Sequence, residues 1–463
     1  MVDHAGTVAE LPADHCATLL AQWLLRIYRP CMTGYRDLAR NRDFTVLWIG
    51  ETVSELGARM SAFVYPLLAL ALGGSIGTAA LVQAAYFGGI VLALLPAGAL
   101  VDRLHRGRVL RTVSATGFLL YAGMAAALTL DGLSPTALGV GALIAGVCTG
   151  IYEPAQISAV RSVVTTAQLP TALAQNQARG HAAELAGAPL GGLLLTVHRA
   201  LPFAVDAATY LVSFVMLGRI RTDLSAPAPA PGEDRGGHVL RRMGRDVATG
   251  ARFVVRHPVM RLLACWSALS NLVVNGLLFV VVLRMAADGH SPAAIGLVAT
   301  AAGVAGLVGA ALAPWVIERT PTGLLTVAVG WSVVLPLVPL VWWAEPAVAA
   351  TCLGALVLLN PIGNAGIGAY RIAITPDALQ GRVNATTAFL AWSTMPLAPL
   401  VGGLLLEVYG GPVATAALLA GCLAAALLVT SSRHVRRVPR PAAWAAPGAG
   451  PAHDQGVPVS PAR

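Results

Sequence analysis

Apolar residues in this chain run in long blocks rather than alternating with polar ones, and the blocks recur along its length. Windows of about twenty residues with few charges fall at 45–71, 77–101, 109–130, 135–160, 172–197, 201–219, 259–284, 292–317, 323–343, 346–370, 383–407 and 411–432. Wound as α-helix at ~1.5 Å per residue, each matches the ~30 Å hydrocarbon core of a bilayer. A helix in lipid satisfies its own backbone groups. The pattern therefore predicts an all-α polytopic membrane protein with twelve transmembrane helices, spans 1 to 12. Several windows are rich in Gly and Ala, which suits close helix packing in lipid.

The longest polar interruption, 220–257, leaves six spans on each side. It begins as a Pro/Ala linker and ends in an Arg-bearing amphipathic stretch. Three short matches repeat in order across it: "LVDR" ending at Arg103 and "VIER" ending at Arg319; "APLGGLLL" in span 5 and "APLVGGLLL" in span 11; "RSVVTTAQL" from Arg161 and "RIAITPDAL" from Arg371. Their nearly constant offset predicts two pseudo-symmetric six-helix bundles (6+6). The expected organisation is a tail over 1–43 with an interfacial helix at 16–29, a bundle over 44–219, a loop over 220–257, a bundle over 258–432 and a disordered tail over 433–463.

Composition sharpens this picture. Only 11% of the 463 residues are charged, against about 25% in soluble proteins. All 31 basic residues are Arg, the mark of a GC-rich coding sequence. Without Lys there is no P-loop and no Schiff-base chemistry. With the N-terminus in the cytoplasm, 27 of the 31 Arg fall in cytoplasmic tails and loops; Arg199 and Arg284 fall outside, and Arg59 and Arg179 inside helices. The positive-inside rule then places both termini in the cytoplasm of a cell membrane. The first 15 residues hold Asp3, Glu10 and Asp14 but no basic residue, so no cleaved signal peptide is expected. The six Cys show no metal-ligand spacing. The expected partners are lipid, protons and a small molecule, with no cofactor, metal, ATP or nucleic acid.

The joint between spans 2 and 3 carries a recognisable signature. Gly98-x-x-x-Asp102-Arg103-x-x-Arg106-x-Arg108 resembles the loop 2–3 motif of the major facilitator superfamily, G-x-x-x-D-R-x-G-R-R; His105 stands at the family's usual Gly position and Gly107 where a basic residue is common. "RDFTVLWIGETVSELGARMSAFVYPLL", "QLPTALAQNQ", "PFAVDAATYLVS", "RHPVMRLL" and "LQGRVNATTAFL" resemble the subgroup of enterobactin and macrolide exporters. The likeness covers residues 40 to 430. It implies a secondary transporter in which Asp102 faces the start of span 11, near Arg382, and shuts the cytoplasmic side; plain positive-inside charge is the alternative reading of Arg103, Arg106, Arg108 and Arg111. Exporters of this superfamily often carry G-P-x-x-G-G in span 5. Span 5 here reads Gly187-Ala188-Pro189-Leu190-Gly191-Gly192, with the Pro displaced by one, and span 11 reads Pro399-Leu400-Val401-Gly402-Gly403. Pro bends a helix and paired Gly permits a close neighbour, so the motif serves either export or ordinary packing.

Charges inside spans are functional candidates by default. Glu51, Glu55 and Arg59 recur at i, i+4 and i+8 on one face of span 1, with Glu55 ~15 Å deep. One Arg cannot satisfy two carboxylates, which leaves one Glu to take up and release a proton. Span 5 offers Arg179, His181 and Glu184 as partners, so an ion-pair lock between spans 1 and 5 is the structural alternative. Glu153 and Asp206 are weaker candidates, Asp206 with a structural role. The second half supplies neutral polar groups: Asn271, Asn275, Asn360, Asn364, Trp331, Trp392, Ser393 and Thr394. Such a cavity suits a bulky, partly apolar or cationic molecule. The sequence thus predicts an exporter of a drug, antibiotic, siderophore or other secondary metabolite working by proton antiport. An importer, symporter or uniporter of the same fold, and a non-transporting membrane sensor, are the alternatives; an enzyme is not expected.

Overall fold

The computed structural model describes residues 38–166, 168–225, 239–376 and 379–444; the side chains of 95, 98–103, 170 and 239–247 also lie outside the description. The expected interfacial helix at 16–29 falls outside it as well. All regular secondary structure among the described residues is helical. Spans 1 to 6 are α1 (Arg42–Ala71), α2 (Ile76–Arg103), α3 (Arg106–Thr129), α4 (Pro135–Val163), α5 (Leu169–Val197) and α6 (Leu201–Leu217). After α7 (Val239–Arg256), spans 7 and 8 are α8 (Pro258–Ala287) and α9 (Pro292–Arg319). Span 9 is α10 (Thr322–Ser332) with the 3₁₀ segment Leu335–Val341, and span 10 is α11 (Pro346–Ile374). Span 11 is α12 (Gln380–Ser393) with α13 (Leu397–Tyr409); span 12 is α14 (Gly411–Ser431), followed by α15 (Arg433–Arg436).

Nine of the described segments are long and apolar enough to cross a bilayer. The three other spans are α1, α5 and the shorter α6. Two of these, α1 and α5, carry Glu51, Glu55, Arg59, Arg179 and Glu184, and the third carries Asp206.

The internal repeat survives in three dimensions. Ser75 and Ser291 hold the same offset as "LVDR" and "VIER", and each accepts a backbone N–H in the first turn of its helix, from Thr78 and from Ala294 (both 3.2 Å). The glycine pairs divide their work identically. Gly191 packs on the Met60 backbone of α1, and Gly402 on the Gly276 backbone of α8, each within its own bundle. Their neighbours reach across to the other bundle: Gly192 lies on the Pro292 carbonyl of α9, and Gly403 on Ala80 of α2. Pro189 sits inside an unbroken α5. Pro399 does not bend span 11. It lies in the first turn of α13, where no intrahelical donor is lost, and the interruption comes at residues 394–396, ending at Pro396.

The bundles meet at the Arg-poor end, which holds the turns before α2, α9 and α14. There Gly296 packs on the Ala188 carbonyl and Gly303 on Leu185. The Glu407 carboxylate of α13 lies against the first turn of α2, where a Cβ on Gly77 would stand 2.5 Å from Oε2. The N–H groups of that turn have no intrahelical partner, and an anion there is favoured. Glu407→Gln is expected to reduce the hydrogen-exchange protection of amides 76–78 by roughly two- to fivefold; unchanged protection would show that the carboxylate contributes nothing to the seam.

The Arg-rich end is tied by side chains. Asn41 caps α1 by accepting from Phe44 N (3.1 Å) and donates to the Val163 carbonyl at the end of α4 (2.7 Å). Asp43 accepts from Arg221 N, Thr222 N and the Thr222 hydroxyl (2.6–3.2 Å). Burial pushes the Asp43 carboxyl up, but these bonds outweigh it and hold it below the usual range. Beyond Arg433 the sequence suggests a disordered tail, yet residues 433–444 fold back on the second bundle. Val435 and Val438 are buried, and Trp444 packs edge-on against Tyr370, ring centroids 5.5 Å apart. The carbonyls of Pro439 and Val438 accept from Thr322 N (3.3 Å) and Gly323 N (3.1 Å), capping the start of α10. A Pro/Arg-rich composition hides this, because the bonds use backbone groups.

Candidate functional site

The site grows from the contact of α1 with α5. Both helices run from the Arg-rich to the Arg-poor end, and α5 presents Gly180, Gly187 and Gly191 to α1. Without Cβ atoms at these positions the helices approach closely, and the long side chains between them interlock. Arg179 donates from Nη1 to Glu51 Oε2 (2.6 Å) and from Nε to Glu55 Oε2 (3.1 Å). Arg59 stands 3.6 Å from Glu55 Oε1. The partner of Glu51 is therefore Arg179, across the helix interface, rather than Arg59 on its own helix.

Exposure separates the four groups. The side chains of Glu51 and Arg179 are 1% and 3% accessible; Glu55 is 25% and Arg59 48% accessible. Glu51 and Arg179 are thus a buried pair, and Glu55 and Arg59 a partly exposed one. Glu184 is exposed between the faces of α5 that meet α1 and α9. Glu153 is likewise exposed. His181 is exposed on the side of α5 toward α9, away from the Arg179 pair. Counting Glu51, Glu55, Glu153 and Glu184 against Arg59 and Arg179, carboxylates outnumber guanidiniums here.

The second bundle contributes no comparable cluster among the described residues. Asn275 donates to the Asn271 carbonyl (2.8 Å), and Asn364 to Asn360 Oδ1 (2.6 Å), each within its own helix. Trp392 is half-buried against the main apolar core, and Ser393 and Thr394 bond back to their own chain. Trp331 is not a cleft residue: its indole N–H donates to Thr430 of α14 (3.1 Å), on the packing seam between spans 9 and 12.

Of the joint motif, the side chains of Gly98, Asp102 and Arg103 lie outside the described residues. Arg106 donates to Ser162 Oγ of α4 (2.7 Å), Arg108 is exposed, and Arg382 is exposed at the start of α12, where α7 packs through Gly250 on its carbonyl. His105 lies 3.4 Å from Asp223.

Two further charged groups lie buried in the bundles, one of them, Arg284, not singled out as a candidate by the sequence. Arg284, placed at the outer side by charge counting, is buried and donates to the Leu340 carbonyl (2.6 Å) and Thr415 Oγ1 (2.8 Å), closing the end of span 9. Asp206 is fully buried and accepts from Ser61 (2.5 Å) and Thr209 (2.9 Å), beneath Tyr65, Tyr121 and Tyr210. Its hydroxyl partners and its place against Gly57 of α1 give it the structural setting the sequence suggested.

Twelve spans in two like bundles, with an ionisable cluster between α1 and α5, are the architecture of a membrane transporter. The chain belongs to the Major Facilitator Superfamily, whose family profile matches residues 47–370. It is 27% identical over 372 residues to the multidrug efflux pump Tap of Mycolicibacterium fortuitum, covering 76% of this chain and 87% of that one. Its fold is similar to the nucleoside transporter NupG (TM-score 0.67, 11% identity, 83% of this chain and 99% of that chain). It is also similar to the human organic anion transporter MFSD10 (TM-score 0.60, 15% identity, 84% and 99%).

Proposed function

We propose that this protein exports a small amphipathic molecule, such as a drug, antibiotic, siderophore or other secondary metabolite, across the cytoplasmic membrane by proton antiport with alternating access. Both termini and the Arg-rich end lie in the cytoplasm, in keeping with the Arg distribution. The observation that carries the reading is Glu55: it shares Arg179 with Glu51, stands beside Arg59, and is the carboxylate of that cluster left partly accessible. A cationic or hydrogen-bonding substrate arriving from the cytoplasm displaces the proton that Glu55 carried inward, and that proton leaves to the cytoplasm. Protonation of Glu55 from the other side weakens its hold and releases the substrate. The excess of carboxylates over guanidiniums favours a partly cationic cargo, and the efflux relative supports the outward direction.

The test is substrate-induced proton release from the purified protein in detergent, using a panel of lipophilic cations and siderophores. Wild type is expected to release protons on binding and Glu55→Gln to bind without release. Glu51→Gln, altered in the buried pair, is expected to lose stability first. Release that persists in Glu55→Gln moves the coupling elsewhere, and binding without release in wild type excludes proton antiport.

A further inference from the structure

Charge counting sets Arg199 and Arg284 at the Arg-poor end, against the bias that the other loop arginines follow. The structure accounts for Arg284, which is held by the Leu340 carbonyl and Thr415. Arg199 lies in the turn between α5 and α6, exposed and without a hydrogen bond or ion pair to any described residue. It lines a cavity of about 630 Å³ between the two bundles.

Leu67, Leu70 and Leu195 wall this cavity from the first bundle, and Leu283 and Ile295 from the second. Its polar side chains are Arg199, His290 and Ser291. Ser291 accepts from Ala294 N (3.2 Å), and His290 Nε2 stands 3.5 Å from Glu345, so hydroxyl and imidazole have partners within the chain. The guanidinium is left over. Asp288 and Glu407 are exposed at this end, but no carboxylate lines the cavity among the described residues.

An apolar space of this size with one convergent charge has the form of a small-molecule site. An apolar body is favoured inside it, and an anionic group is favoured at the guanidinium by charge-assisted, bidentate bonds. A cation finds no partner there. The charge is opposite to that of the α1–α5 cluster, where carboxylates are in excess, so the two sites select different molecules.

We infer that this cavity binds an amphipathic anion, an apolar body carrying one sulfonate, carboxylate or phosphate, and that the bound anion holds the bundles together at the Arg-poor end. The second part follows from the walls. Pro292, whose carbonyl meets Gly192 across the seam, also lines the cavity. Parting the bundles at that seam draws one wall away from the ligand. A ligand that binds one arrangement better than another shifts the population toward it. The inference concerns a molecule other than the cargo and stands apart from the proton-antiport reading.

The full-length protein in phosphatidylcholine nanodiscs, titrated calorimetrically with naphthalene-2-sulfonate against empty discs, tests it without any cargo. Saturable binding is expected, with 2-naphthylmethanol and 2-naphthylmethylammonium each at least about fivefold weaker. Arg199→Gln should weaken the sulfonate by a similar factor and leave the alcohol unchanged. Ala287→Phe puts a ring into the cavity from an exposed position on its wall, and should abolish binding of both while thermal unfolding stays as in wild type. Equal affinity for the three probes, unchanged sulfonate affinity in Arg199→Gln, or binding that survives in Ala287→Phe would each overturn the site. Phosphatidylglycerol retained through purification by wild type and lost from Arg199→Gln would support the anion site with a lipid phosphate as its occupant. Hydrogen exchange at amides 193–196 and 293–298, on the two sides of the seam, should slow at least about threefold with the sulfonate bound. Unchanged exchange beside saturable binding would overturn the hold on the bundles.

Discussion

Arg179→Leu is expected to destabilise the protein by about 3–5 kcal/mol, the loss typical when one member of a buried ion pair is removed. Arg179 is the only described basic group within bonding distance of Glu51, and its removal strands a carboxylate that is 1% exposed and cannot reach water. Arg59→Leu provides the contrast. Arg59 is half exposed and sits 3.6 Å from Glu55, so its loss should change stability little. Thermal unfolding in detergent of the two variants, beside Arg179→Leu/Glu51→Leu, reads the difference. The double variant should recover most of the loss, because replacing both charges with apolar groups leaves nothing stranded. Equal losses in the two single Arg variants would refute the assignment of Arg179 as the counter-ion.

That contrast also marks where sequence reading stops. Helical periodicity shows neighbours on one helix, so the i, i+4, i+8 row of Glu51, Glu55 and Arg59 was legible, and Arg59 looked like the natural partner. The register between α1 and α5 is set by Gly180, Gly187 and Gly191, and no pattern within either helix encodes it. The larger architecture was legible because lipid allows so few solutions. Twelve apolar windows became twelve spans, and the repeated glycine pairs proved to occupy equivalent seams. Features built from backbone groups were invisible, such as the capping of α10 by the carbonyls of Pro439 and Val438. So was the interruption of span 11 at Pro396, since Pro396 and Pro399 look alike until one is seen inside the first turn of a helix.

Gly57→Ala should be the second most damaging change, although it adds a single methyl group. The site a Cβ would take on α1 is filled by Asp206 Oδ1, with Thr209 Oγ1 2.5 Å from it. Both partners are held: Asp206 by Ser61 and Thr209, and the whole group by the stacked rings of Tyr121 and Tyr210, with centroids 5.5 Å apart. Overpacking of this kind costs about 1–3 kcal/mol, and pushing Asp206 off its hydroxyl donors adds the penalty of a buried carboxylate less well satisfied. Asp206→Ala removes the nearer obstacle and frees the Thr209 hydroxyl that it holds to turn away, so Gly57→Ala/Asp206→Ala should unfold at a higher temperature than the sum of the single losses allows. Additive losses would show that the two side chains do not compete. The functional effect should exceed the thermal one. Gly57 lies between Glu55 and Arg59, so relief of the clash by displacing α1 alters the bonds of both Glu51 and Glu55 to Arg179. A Gly57→Ala protein that stays folded but no longer releases protons on binding substrate would separate the placement of α1 from the stability of the bundle.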